Sequence, residues 1–144
     1  MPAHDGGVVR FVDDALATAP PPTLAALAVF ADEPVALIAD GYDWGVDYTG
    51  PSDALAARRP ATTLVTVGDA GRCLAKATRE RAPGAAQYRK VTMGDAVAHA
   101  LDALGGVVLL SPAAPSFDRC HDWEESSRDF AREVNRSLGR DSNP

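Results

Sequence analysis

Basic residues are scarce in this chain: 14 Lys and Arg stand against 20 Asp and Glu, a formal net charge of −6. A phosphate backbone is bound by clustered cations that displace counterions, so nucleic acid is not an expected partner. Cysteine occurs only twice, at Cys73 and Cys120, with no Cys-x-x-Cys pair. Reduced, unpaired thiols are therefore expected. No apolar run approaches the ~20 residues of a membrane helix. The nearest, Leu24 to Ala31, has the length of a short amphipathic helix, and no membrane association is expected. The opening Met1-Pro2-Ala3-His4-Asp5-Gly6-Gly7 has neither the basic nor the apolar segment of a secretory signal, which sets cytoplasmic location as the expectation. Aromatic residues are few, at 6%.

What is there is an Ala-rich chain of 144 residues with 46% apolar and 24% charged residues, the balance of one globular domain. Short β-branched runs alternate with stretches of helical period. This predicts a single Rossmann-like α/β domain over residues 1–144, a mostly parallel sheet with helices on both faces. Residues 1–7 and 139–144 read as flexible tails. Val8 to Val12 reads as a strand. Pro20-Pro21-Pro22 then opens a helix through Thr23, Leu24, Leu27 and Phe30, because proline suits a first helical turn. Val35 to Ala39 and Val107 to Leu110 are continuous apolar runs, the pattern of central strands buried on both faces.

Between them the spacing predicts a short helix from Pro51 through Leu55, a strand over Thr62 to Val67 and a helix near Asp69 to Arg81. A weaker strand follows from Gln87 to Val91, and Thr92 N-caps a helix carrying Met93, Ala96, Val97, Ala100, Leu101 and Leu104 on one face. A last helix carries Trp123, Phe130, Val134 and Leu138. Ligands of open parallel sheets sit outside the strand carboxyl ends, which directs attention to the loops after Val12, Ala39 and Leu110.

Generic motifs supply no catalytic or metal site. The phosphate loop G-x-x-x-x-G-K-[ST] is absent, and Gly68-Asp69-Ala70-Gly71 is only a fragment of a dinucleotide loop. The adjacent Cys120-His121-Asp122 cannot easily converge on one ion and reads as a polar loop. His99 and His4 have no neighbouring nucleophile in sequence.

Three segments in order carry a resemblance. They are Val9-Arg10-Phe11-Val12-Asp13-Asp14-Ala15-Leu16-Ala17-Thr18-Ala19-Pro20, then Gly41-Tyr42-Asp43-Trp44-Gly45-Val46-Asp47-Tyr48. The third is Leu109-Leu110-Ser111-Pro112-Ala113-Ala114-Pro115-Ser116-Phe117-Asp118 with Asp122-Trp123-Glu124-Glu125. They are similar to the C-terminal domain of Mur ligases of the UDP-N-acetylmuramoyl-L-alanine:glutamate type, closest to the branch that adds L-glutamate. Members of that family serve bacterial peptidoglycan synthesis. They join a carboxylate to an amine through an acyl phosphate made from ATP with magnesium, and their C-terminal domain swings in to present the amino acid.

The resemblance implies an amino-acid-presenting domain, inactive alone, whose partners are separate N-terminal and ATP-binding domains and a small amino acid or related ligand. By itself the chain would hold no cofactor. The resemblance also implies that Asp14 contacts the nucleotide at its ribose, that Thr18 meets the glutamate side-chain carboxylate, and that Trp44, Ser116, Phe117 and Trp123 line the amino-acid pocket. Three of these roles have a structural alternative: Asp14 as a turn cap, Ser116 as a loop hydroxyl, Trp123 as core.

The chain also departs from the family pattern. Ala15-Leu16 replaces its Ser-Lys, Trp44 a cation, Asp40 a glycine, and Ser126-Ser127 an Arg-Gly. A second reading follows, in which the chain is a degenerate, stand-alone Mur-ligase-derived binding module with a non-enzymatic role.

Overall fold

The computed structural model describes residues 9–14, 20–40, 47–58, 62–67, 70–90, 92–103, 106–111 and 123–139. Five strands alternate with five helices: β1 (Arg10–Asp13), α1 (Pro20–Val29), β2 (Val35–Asp40), α2 (Thr49–Ala57), β3 (Thr63–Val67), α3 (Ala70–Arg81), β4 (Ala86–Lys90), α4 (Met93–Ala103), β5 (Val107–Leu110) and α5 (Trp123–Ser137). All pairings among them are parallel, and the strands lie in the order β1-β5-β2-β3-β4.

The apolar runs explain the middle of the sheet. Successive side chains of a strand point to opposite faces, so a strand covered on both sides must be apolar at every position. In β2, Ala36 and Ile38 join one core cluster while Val35, Leu37 and Ala39 join the other; in β5, Val108 and Leu110 separate from Val107 and Leu109 in the same way. The side chains of Leu37, Ile38, Leu109 and Leu110 are 2% exposed or less. Each contributes roughly 1.5–3 kcal/mol by leaving water.

The first cluster is closed by α4 and α5, through Met93, Ala96, Val97, Ala100 and Phe130. The second is closed by α1, α2 and α3, through Leu27, Leu55 and Leu74. The chain crosses the sheet in one direction from β1 to β4 with its helices on one face. It then returns to insert β5 between β1 and β2, and α4, which makes that return, lies on the other face. Right-handed crossovers require this change of face. β2 and β5 are central and buried, with helices on both sides, as the apolar runs predict.

Several boundaries differ from the sequence expectations. β1 begins at Arg10 rather than Val8, and α2 begins at Thr49 rather than Pro51. The Asp47 carboxylate accepts the Thr49 amide at 2.9 Å, fixing the start of α2 two residues ahead of the proline. Hydrogen bonding from the Thr49 hydroxyl, and then from its amide, holds the Asp47 carboxyl below its ordinary pKa. Thr92 does cap α4: its hydroxyl accepts the Asp95 amide at 3.1 Å. Gly139, with φ of 72°, follows the end of α5 in the left-handed conformation common at helix C-termini.

A tight backbone approach precedes β5. A Cβ on Gly106 would lie 2.3 Å from the Pro34 carbonyl oxygen. Both segments are pinned there, since the Val107 amide donates to that same carbonyl at 3.0 Å and the Arg10 amide to Gly106 O at 2.9 Å. Only glycine fits.

Candidate functional site at the carboxyl ends of β1 and β5

β1 and β5 are neighbours whose connections leave in opposite directions, to α1 on one face and toward α5 on the other. Such a point opens a crevice outside the strand carboxyl ends. Asp14 follows β1 and Ser111 follows β5. The Asp14 amide donates to Leu110 O at 2.7 Å, and the Ser111 amide to Ile38 O at 3.1 Å, so both residues extend the ladders one step beyond the strands. Their backbones are therefore held by the sheet.

The side chains meet across that step. Ser111 Oγ stands 2.9 Å from Asp14 Oδ2 and 2.9 Å from Thr23 Oγ1 of α1. Ser111 and Thr23 are buried, while Asp14 is half-buried. An ionised carboxylate only accepts, and a hydroxyl has one proton. Ser111 Oγ is the donor toward both oxygens, so its single proton is shared between Asp14 Oδ2 and Thr23 Oγ1. Beside this, the Ser127 hydroxyl of α5 donates to the Asp13 carboxylate at the tip of β1.

The helix that starts at this edge is unsuited to anions. A helix N-terminus binds phosphate through its unsatisfied amides. In α1 the first three residues are Pro20, Pro21 and Pro22, which have no amide proton to offer. Among the described residues this edge presents the Asp14 carboxylate as an acceptor, which suits a hydroxyl or ammonium group better than a phosphate.

Of the residues singled out from the sequence, Asp14 stands at this carboxyl end of the sheet. Thr18, Trp44, Ser116 and Phe117 lie outside the described residues, as do Leu16 and the Cys120-His121-Asp122 run; Trp123 begins α5, its side chain lying outside the description. Ser111 and Thr23 were assigned no role from sequence. The only hint was their position inside motif-bearing segments at two strand ends.

At the opposite, amino edge of the sheet, Arg58 is buried although it ends a helix. Its Nε donates to Thr62 Oγ1 at 2.5 Å, Nη1 to Leu27 O at 3.1 Å, and Nη2 to Phe30 O at 3.2 Å and Glu33 O at 2.7 Å. Burial lowers its pKa from the ordinary value. It also lines a cleft of about 400 Å³ between α1 and α2, whose other walls are Leu24, Leu27 and alanines.

Among the described residues no His, Cys, Asp or Glu group of three could hold a metal ion, and no helix is long and apolar enough to cross a membrane.

No protein-family profile matches the chain. Individual relatives do. A UDP-N-acetylmuramoyl-L-alanine–L-glutamate ligase of Salinispora tropica is 36% identical over 140 residues, covering 94% of this chain and 30% of that protein. The ligase of the same name from Xanthomonas euvesicatoria pv. vesicatoria is 38% identical over 130 residues, covering 86% of this chain and 27% of its own length. The chain thus spans under a third of these curated relatives. Among solved structures, a UDP-N-acetylmuramate–alanine ligase of Thermotoga maritima superposes with a TM-score of 0.56 over 95% of this chain and 29% of that one. At 19% identity it shares the fold alone.

Proposed function

The chain belongs to the Mur ligase family as a domain related to part of the L-glutamate ligases, and from that premise we infer that it presents the incoming amino acid to a peptidoglycan-precursor ligation reaction in the bacterial cytoplasm. In this reading it is the C-terminal domain of an ATP-dependent acid–amino-acid ligase. It works with N-terminal and ATP-binding domains that hold the UDP-sugar acyl donor and the triphosphate with its magnesium. The observation that carries the reading is an alignment at 36% identity that covers 94% of the chain.

Asp14 accepts from the nucleotide ribose, while Thr18, Ser116, Phe117 and Trp123 surround the amino acid. The 144 residues carry no phosphate loop, so activation of the carboxylate falls to other parts of the enzyme. The proline-capped start of α1 agrees with this division, because it leaves phosphate to be bound elsewhere.

The test mixes the purified chain with ATP, magnesium, UDP-N-acetylmuramoyl-L-alanine and L-glutamate. It is repeated with the part of the Salinispora tropica relative that this chain does not match. Amide and ADP are expected only in the mixture. Amide formed by the 144 residues alone, or none in either arm while the intact relative is active, defeats the reading. Trp44 and Leu16, standing where cations are expected, favour a second reading as a binding module that has left glutamate chemistry. A mixture that stays inactive is its signature.

A further inference from the structure

We propose that Thr23 and Ser111 are positioning residues, forming a hydrogen-bond relay that aims the Asp14 carboxylate at its ligand. The geometry carries this. Ser111 Oγ is 2.9 Å from both partners, its own exposure is 0% and that of Thr23 is 1%, so no bulk water competes for either hydroxyl. Ser111 is the donor on both sides, so its one proton couples Thr23 to Asp14.

The relay consumes Asp14 Oδ2. It leaves Oδ1 with no donor among the described residues. A carboxylate so held has lost its free rotation and offers one oxygen outward, and an acceptor oriented before binding wastes less entropy on the ligand. Hydrogen bonds in a chain also polarise one another, so the buried Thr23 hydroxyl is felt at Asp14 without touching it.

The scaffold is suited to the task. Asp14 and Ser111 are 97 residues apart in sequence yet share the sheet ladder, and Thr23 comes from the helix packed over it. That the ligand group is a sugar hydroxyl of a nucleoside rests on the function proposed above; the relay itself does not.

Two measurements on the labelled, purified chain separate these claims. The first follows the Asp14 side-chain carboxyl ¹³C resonance in Thr23→Val, Ser111→Ala, the double variant and Thr23→Ser. Valine matches threonine in shape and lacks only the hydroxyl. Thr23→Val is expected to move the Asp14 signal, Thr23→Ser to leave it near the parent position, and Thr23→Val to add nothing once Ser111 is alanine. A Thr23→Val effect that persists undiminished in the Ser111→Ala background, or no effect of either change, overturns the relay.

The second measurement titrates adenosine, with 2′,3′-dideoxyadenosine as control, against the same resonance. Thr23→Val is expected to weaken adenosine binding about fivefold, the effect of one hydrogen bond, and Thr23→Ser to restore it. Equal affinity of the Thr23→Val variant and the parent overturns the positioning role. A coupled Asp14 signal with no adenosine response in the parent upholds the relay and removes the sugar as its ligand.

Discussion

Arg58 gives the sharpest test of how the helical layer is held. The turn after α1 exposes carbonyls that have too few amides to meet them, and α1 has no basic residue in its own last turn. Arg58 arrives from the end of α2 and donates to three of these carbonyls and to Thr62. Replacement by Met keeps much of the apolar stem and removes every donor. Leu27 O and Phe30 O retain backbone amides, from Phe30 and Glu33 respectively, so the largest loss falls on Glu33 O at 2.7 Å and on Thr62.

Hydrogen bonds from a charged donor contribute about 1.5–3 kcal/mol each. They are not additive, and removing Arg58 also recovers the desolvation of a buried cation. A net loss of about 3 kcal/mol is therefore expected, a large share of the roughly 5–15 kcal/mol that holds a domain. For a chain of this size that corresponds to a fall in Tm of about 10 °C.

Urea unfolding followed by circular dichroism measures it. The midpoint should fall with an unchanged slope, and Arg58→Lys, whose ammonium cannot reproduce the planar fork, should recover less than half of the loss. Because Arg58 is buried, the difference should persist in 1 M salt, unlike the contributions of the exposed pairs Arg10–Glu33 and Arg81–Asp53. A Met variant within about 0.5 kcal/mol of the parent refutes the clasp, since that is the range of an ordinary surface substitution.

Two further outcomes follow from close contacts and from the sequence. Gly106→Ala should destabilise by about 3 kcal/mol in the same assay, because its Cβ meets a pinned carbonyl 2.3 Å away. Gly94→Ala, whose Cβ meets only the movable Glu133 carboxylate, should be near neutral or stabilising, and equal losses in the two would defeat the backbone argument. Replacing Trp44 and Leu16 together by Lys should improve L-glutamate binding by a few kcal/mol in calorimetry. A parent chain that already binds glutamate as tightly would show that the lost cations are immaterial.

How much of this was legible in the sequence depended on whether the governing force was local. β2 and β5 are written plainly because double burial demands unbroken apolar runs, and Val35 to Ala39 and Val107 to Leu110 supply them. β4, Ala-Gln-Tyr-Arg-Lys at the sheet edge with Tyr88 41% exposed, carries a weaker signal because only part of it is covered. The start of α2 was misplaced because Pro51 marks a first turn without marking its first residue, which the Asp47 carboxylate decides. Arg58, beside Arg59 at a helix end, reads as a solvated cation. Its burial depends on carbonyls some 25 to 31 residues away, which no periodicity encodes.

The candidate site lies at the far end of that scale. Motifs located the three loops, yet hydrophobic pattern alone gives strands without their order. It is the order that matters here: only because the chain returns from β4 to insert β5 beside β1 does Ser111 come within 2.9 Å of Asp14. Had β5 instead been added beyond β4, the same residues in the same elements would place Asp14 and Ser111 at opposite sides of a five-stranded sheet. Neighbouring strands are spaced about 4.8 Å apart, so the separation would approach 20 Å, beyond any hydrogen bond. The acceptor at the β1 edge is thus a product of topology, with the serine hydroxyl and the threonine of α1 brought to it by the return of a single strand.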